Sequence, residues 1–203
     1  MKTIFKNLIT NSTILSIPGL LSILISLVSI PIHLNYAGPE SYGNYIIFHF
    51  ILMISINLNF GIGKSTTISI NNYPNVHKKI SFEAITYSKN ISLIILGIWT
   101  LVYLFNKIFI SNLNFDFKYF SFLVFGSIIT IFFVTLEGIL QGNRKFKSIS
   151  ILNLFFFSFS ISIPSVLLSY NKELSLENLI LISILIKFFS ILILFFSIKK
   201  NNL

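Results

Sequence analysis

Six runs of apolar residues constrain the fold of this chain more than any other feature. A membrane crossing takes about 20 helical residues, and the runs cover approximately residues 14–36, 44–70, 85–106, 119–140, 148–170 and 178–198. Composition agrees with this pattern, because 54% of the residues are hydrophobic and only 10% are charged. The sequence therefore predicts an all-α integral membrane protein, with six transmembrane helices in a single domain over residues 1–203.

The fifth run contains the segment "FFFSFSISIPS", in which apolar and polar residues alternate. In water this period of two would favour a strand. In lipid an isolated strand would leave its backbone groups without hydrogen-bond partners, so the run is predicted to be a helix. The segments between the runs contain typical helix breakers, among them "AGPESYG", "NNYPNVHKK", "QGNRKFK" and "NKELSLEN".

The distribution of basic residues predicts the orientation, since short cytoplasmic loops retain lysine and arginine. The opposite loops contain only Lys107, Lys118 and Lys172. The predicted cytoplasmic side carries Lys2, Lys6, Lys64, Lys78, Lys79, Arg144, Lys145, Lys147, Lys199 and Lys200. Both termini are therefore expected in the cytoplasm, and the first run is expected to remain as a helix because no small-residue cleavage site follows it.

Several classes of function are disfavoured. The net charge of +9 lies in short clusters between apolar runs, so nucleic-acid binding is not expected, and the absence of cysteine excludes disulfides and thiolate sites. The segment "GIGKSTT" resembles the end of a phosphate-binding loop, but Leu58 stands where the first glycine is needed. His33, His49 and His77 lack metal-ligand spacing. The six acidic residues are dispersed, so we expect no enzymatic activity, metal or cofactor.

Three of the predicted helices carry a polar stripe on one face when residues are projected at 100° per step. Such stripes are explained either by helices packing through small and hydroxyl residues or by a polar cavity. The stripes consist of Asn11, Ser22, Ser26, Ser29 and His33 in the first helix, Gly126, Ser127, Thr130, Glu137 and Gln141 in the fourth, and Ser183, Lys187, Ser190 and Ser197 in the sixth.

Lys187 is the hardest of these residues to explain by packing. It lies near the middle of the sixth run, too deep for its stem to bring the ammonium group to either membrane surface. A lysine at this depth costs about 2.5–3.5 kcal/mol on insertion scales. Glu137 lies about one turn from the end of its own helix, so the depths of the two groups differ. We therefore expect a water-filled cavity or an anionic ligand beside Lys187.

Three segments resemble the Wzx-type polysaccharide flippases of the multidrug/oligosaccharidyl-lipid/polysaccharide exporter superfamily: "AGPESYGNY", "NFGIGKSTTISI" and "LEGILQGNRKFKSISILN". The resemblance covers essentially the whole chain. It implies one lobe of a two-lobe bundle that moves a lipid-linked oligosaccharide, carried on undecaprenyl pyrophosphate, across the bacterial inner membrane by alternating access. On this view the substrate-binding residues are Lys187, Ser183, Ser190, Lys64, Asn57, Ser26 and Ser29, and the coupling or gating residues are Glu137 and His33.

The chain departs from the family in length, because such flippases usually have twelve or more helices and this one has six. A homodimer or a separate second lobe would complete the transporter, and a truncated fragment would give the same sequence. A cation-coupled drug exporter of the same superfamily is the alternative function, with Glu137 as its acidic cavity residue. Asn59 stands near the end of the second helix, where an acidic residue is sometimes found, so a role for that position in proton coupling is not expected.

Overall fold

The computed structural model describes the backbone of residues 2–109 and 117–200, and their side chains apart from those of residues 2–9, 11, 109, 194 and 196–200. Helices account for 93% of the structure, and the described residues contain no strand. Some residues used in the sequence analysis have side chains outside the described part, namely Lys2, Lys6, Asn11, Ser197, Lys199 and Lys200.

Seven α-helices are formed by the described residues. They are α1 (Lys2–Asn57), α2 (Ile62–Asn72), α3 (His77–Phe109), α4 (Phe117–Gly142), α5 (Phe146–Asn153), α6 (Ser160–Tyr170) and α7 (Leu176–Lys200). A 3₁₀ turn, Pro74–Val76, precedes α3, and a π-helical segment, Leu154–Phe159, joins α5 to α6 without a break. The helical state predicted for the fifth apolar run is therefore confirmed, despite its alternating pattern.

The helix α1 is interrupted at Gly38, whose φ of 81° and ψ of 167° are not helical. This backbone region is essentially restricted to glycine. The following Pro39 disfavours a helical conformation at the residue before it. The pair Gly38–Pro39 therefore separates α1 into two helical parts.

The prediction of one continuous helix over residues 44–70 is wrong, because the structure has a break inside this run. Helix α1 ends at Asn57 and α2 begins at Ile62. Between them, Phe60 (φ 53°) and Gly61 (φ 75°) adopt left-handed backbone conformations. Such conformations end a helix, since right-handed helical geometry needs negative φ at every residue.

Five helical stretches are long and apolar enough to cross a membrane: Ser12–Asn57, Pro74–Ile108, Phe117–Gly142, Phe146–Tyr170 and Leu176–Ile193. The predicted run at residues 14–36 and the first half of the run at residues 44–70 fall within the first stretch, which is 46 residues long. The all-helical architecture is thus as predicted, with five candidate spans among the described residues in place of six.

Residue contacts divide the chain into two compact units. The first unit comprises residues up to Gly43 and from Leu140 onward. In it, α6 lies between α1 and α7: Ser158 at the end of the π-helical segment hydrogen-bonds Ser22 of α1, and α6 packs along α7. The prediction of one six-helix domain stays a prediction.

The second unit comprises Asn44–Ile139. Its core contains Ile91 and Ile95 of α3 and Ile131 of α4, against which Trp99 packs. Buried hydroxyls also connect its helices: Ser55 donates to Ser127 at 2.9 Å, and the Trp99 indole N–H donates to the same Ser127 hydroxyl at 3.0 Å. Hydroxyls that bond across helices in this way satisfy polar groups that would otherwise be buried alone.

Helices α2 and α4 of the second unit approach each other closely at two glycines. A Cβ atom added at Gly138 would lie 2.8 Å from the carbonyl carbon and from the Cα of Gly63. The Thr67 hydroxyl of α2 donates to the Gly138 carbonyl at 3.0 Å. The two glycines therefore permit a backbone contact that no larger residue would allow.

Candidate functional site

Lys187 is directed into the first unit. It occurs near the middle of α7 and is only 3% exposed. Its Nζ atom lies 5.1 Å from the centroid of the Phe156 ring, within the range of a cation–π contact. The charged end of this side chain is thus turned away from the outer surface and toward the π-helical segment.

The π-helical segment determines where Phe156 lies. The Ser160 amide donates to the carbonyl of Phe155, five residues earlier, which is the hydrogen-bond pattern of a π-helix. A π-helical turn contains about one residue more than an α-helical turn. Side chains before the segment therefore point in a different direction around the helix axis than they would in an uninterrupted α-helix. Short π-helical segments inside α-helices occur frequently at functional sites. Here the segment carries the Phe156 ring, which contacts the Lys187 ammonium group.

Serines surround this part of the unit. Ser183 and Ser190 lie four residues before and three residues after Lys187, so the three share one face of α7. All three are buried, and the Ser190 hydroxyl donates to the Lys187 carbonyl at 2.7 Å. The facing helix contributes further buried hydroxyls at Ser158, Ser160, Ser162 and Ser165. The three described residues of the polar stripe predicted for the sixth run therefore face the interior of the unit.

His33 lies in the same unit, between α1 and α6. It is buried, its Nδ1 atom is 3.0 Å from the Ser165 hydroxyl, and its ring meets that of Tyr42 edge to face, with 5.2 Å between the centroids. One turn earlier on α1, Ser29 is also buried, and its hydroxyl lies 3.5 Å from the Ser26 carbonyl. Ser26 itself is exposed, so it does not belong to the buried group.

The remaining predicted site residues belong to the second unit. Lys64 of α2 and Asn57 at the end of α1 are exposed, and Glu137 of α4 is half-buried. Of the nine predicted residues, the first unit therefore contains Lys187, Ser183, Ser190, Ser29 and His33 as buried side chains and Ser26 as an exposed one.

Two residues of the buried group were not predicted. Phe156 is one of 23 phenylalanines, so its type alone carries little information. Ser165, the partner of His33, follows Pro164 in the alternating segment. The signal that could have identified both is the clustering of serines in that segment, since a helix with hydroxyls on more than one face needs polar or close-packed neighbours on both sides.

The contacts of Lys187 define what this site can bind. A compact ammonium group with three donors suits phosphate or carboxylate oxygens. In a desolvated environment a cation–π contact contributes about 2 kcal/mol, and the insertion cost of a mid-membrane lysine is roughly 2.5–3.5 kcal/mol. Among the described residues, no three histidine or acidic side chains lie close enough together to hold a metal ion. The Lys187 ammonium group thus has the charge and the hydrogen-bond donors that suit an anion.

Comparison of the chain with models of protein families, with characterised proteins and with solved structures gave no match. The sequence resemblance and the geometry of the first unit are thus the basis for assigning a function.

Proposed function

We propose that this protein is a lobe of a Wzx-type flippase, which binds the anionic headgroup of a lipid-linked oligosaccharide at Lys187 and moves it across the bacterial inner membrane. The observation that carries the proposal is the position of Lys187, buried midway along an apolar helix with Ser183 and Ser190 on the same face. A chain that only needed to pack this helix would gain stability from an apolar residue at that position.

Six membrane crossings are part of the proposal. The stretch Ser12–Asn57 has 46 residues, and a continuous helix of that length would be about 69 Å long. The hydrocarbon core of a bilayer is only about 30 Å thick. We infer that the stretch crosses twice, on either side of Gly38, which gives six crossings in total and leaves both termini on the cytoplasmic side, where basic residues are concentrated.

The transport step that we propose needs no covalent chemistry. An entering pyrophosphate group exchanges its hydration for contacts with the Lys187 ammonium group and nearby serine hydroxyls. The contact with the Phe156 ring compensates the cation while the site is empty. Because the same cation has two alternative partners, binding is favourable without being irreversible, and release on the opposite side remains possible. The resemblance implies that a second lobe, from another copy or another chain, completes the cavity.

The experiment that tests the proposal measures binding of farnesyl pyrophosphate, a short isoprenoid pyrophosphate, to the purified full chain in detergent. Binding raises the melting temperature, since a ligand at 100 times its Kd adds about 2.7 kcal/mol to the free energy of unfolding. We expect Lys187→Met to weaken binding at least about tenfold, as for the loss of one hydrogen bond to a charged group. Methionine keeps the apolar stem and leaves no buried charge, so the fold should persist.

The matched control is Lys89→Met, which removes an exposed lysine from α3. This variant should bind farnesyl pyrophosphate as the unaltered protein does. Farnesol, which has the same chain and no pyrophosphate, should bind weakly to all variants. Equal affinity of Lys187→Met and the unaltered protein for farnesyl pyrophosphate would show that Lys187 is not the anion site.

A further inference from the structure

An apolar groove lies between α1 and α6, within the first unit, and it has a geometric cause. The two helices are joined by two side-chain hydrogen bonds, Ser22 to Ser158 and His33 to Ser165. These contacts are 11 residues apart along α1 but only seven apart along the π-helical segment and α6. At about 1.5 Å per residue, the path along α1 is about 6 Å longer. A difference of this size, part of which the reach of the His33 side chain takes up, agrees with the gap found between the two helices.

The lining of the groove is almost entirely hydrocarbon. Its two serines have satisfied hydroxyls: Ser162 donates to the Ser158 carbonyl at 2.8 Å, and Ser29 lies within 3.5 Å of the Ser26 carbonyl. The donors of both hydroxyls are therefore engaged, which leaves only their acceptor lone pairs for a polar ligand. Its other lining residues are Leu24, Ile25, Val28, Phe159, Ile163, Val166 and Leu167.

The size of the groove fits one hydrocarbon chain. Its volume is about 450 Å³, three times that of an apolar cavity of about 150 Å³ that binds a single benzene molecule. Over a length of about 12–16 Å, this volume gives a mean cross-section of about 30–40 Å². A helix about 10 Å across has a cross-section of about 80 Å². An acyl chain is therefore narrow enough to lie within the groove, whereas a helix of another chain could only pack against its open side.

A charged contact lies just beyond one end of the groove. The Lys172 ammonium group lies 5.4 Å from the centroid of the Tyr36 ring. This contact joins the loop after α6 to α1, beyond the His33–Ser165 hydrogen bond. Glu173, the next residue along the chain after Lys172, is exposed. A cation next to a carboxylate complements a headgroup that itself carries both charges, and tyrosine is typical of the membrane–water interface.

We propose that this groove binds one acyl chain of a zwitterionic phospholipid of the phosphatidylethanolamine type, with the lipid phosphate at Lys172 and the lipid ammonium group at Glu173. The bound lipid fills the space between α1 and α6 and is distinct from any cargo at Lys187. The inference rests on the membrane crossing proposed above and does not require that the protein transports anything.

The test reconstitutes the full chain into vesicles of equimolar phosphatidylethanolamine and phosphatidylglycerol, extracts it in mild detergent, and counts retained lipids by native mass spectrometry. The unaltered protein should retain one phosphatidylethanolamine molecule per chain. Val28 lines the groove and is 62% exposed. Val28→Trp, whose larger side chain fills the groove, should lower this retention at least about tenfold. The neighbouring Leu27→Trp is the control, because Leu27 is 66% exposed and does not line the groove.

Lys172→Gln tests the headgroup contact and should also lower retention of phosphatidylethanolamine about tenfold, while diacylglycerol added to the vesicles is retained as before. Equal retention by Val28→Trp and Leu27→Trp would overturn the groove assignment, and so would a lipid-free dimer that only Val28→Trp dissociates. Preferential retention of phosphatidylglycerol would overturn the headgroup assignment. Binding of farnesyl pyrophosphate should be unchanged in Val28→Trp, so the failure of either proposal can be recognised separately.

Discussion

The close contact between α2 and α4 allows the loss in the free energy of unfolding of a glycine variant to be calculated. In Gly138→Ala, the new methyl group would overlap the Gly63 carbonyl oxygen and lie 2.8 Å from the carbonyl carbon and the Cα. These are backbone atoms, which cannot rotate away as a side chain can. The two helices must therefore move apart, and the hydrogen bond from Thr67 to the Gly138 carbonyl is stretched or lost with them.

The expected cost combines three contributions. Overpacking of this kind costs about 1–3 kcal/mol, and a hydrogen bond between membrane helices contributes about 0.6 kcal/mol. Replacing a helical glycine by alanine returns up to about 1 kcal/mol through helix propensity. The net loss in the free energy of unfolding is thus about 1–3 kcal/mol. For a chain of this size, a loss of 2 kcal/mol lowers the melting temperature by about 4–8 °C.

The assay is thermal unfolding of the purified variants in detergent, with Gly97→Ala as the control. A Cβ atom at Gly97 in α3 meets nothing within 4 Å, so this variant should be as stable as the unaltered protein or slightly more stable. Gly126→Ala should fall between the two, because its Cβ meets the flexible end of Leu52 at 2.8 Å. If Gly138→Ala and Gly97→Ala melt at the same temperature, the described approach of α2 and α4 is incorrect.

Two further predictions concern the first unit. Gly38→Ala should lower the free energy of unfolding by about 1–3 kcal/mol in chemical or thermal denaturation, because Gly38 has a backbone conformation that other residues rarely adopt. The control Gly43→Ala has open space at its Cβ and should keep the stability of the unaltered protein. Equal stability of the two variants would count against the break in α1. Since the chain has no cysteine, Lys145→Cys and Asn171→Cys can be labelled singly in sealed inverted and right-side-out vesicles. A membrane-impermeant maleimide should reach them from opposite sides, with Lys145→Cys on the cytoplasmic side; labelling of both from one side would contradict the proposed topology.

The helices could be predicted from the sequence because their signal is simple. Apolar runs of about 20 residues have few alternatives to a helix, even when the local pattern alternates as it does around Phe156. The break at residues 58–61 was missed, since no proline occurs there and the single glycine of that segment stands inside an apolar run. Its cause is the left-handed conformation of Phe60 and Gly61, which composition does not report.

The part of the candidate site that lies on a single helix could also be predicted from the sequence. A stripe at helical spacing correctly indicated that Ser183, Lys187 and Ser190 share one face, because that depends only on the geometry of a single helix. Which ring contacts the ammonium group depends on the π-helical segment, where the register of the helix changes. That register is decided by packing between helices, so Phe156 could not be selected from the other phenylalanines by pattern alone.

In the proposed function, the Lys187 ammonium group binds the anionic headgroup of a lipid-linked saccharide during transport. The most direct test is translocation of a fluorescent polyprenyl-pyrophosphate oligosaccharide in proteoliposomes that contain the complete assembly, measured by the fraction of label that an added reductant cannot reach. We predict that Lys187→Met abolishes translocation at equal protein levels and that Lys187→Arg retains part of it. Translocation by Lys187→Met at the rate of the unaltered protein would contradict the proposed role of Lys187 in binding the headgroup.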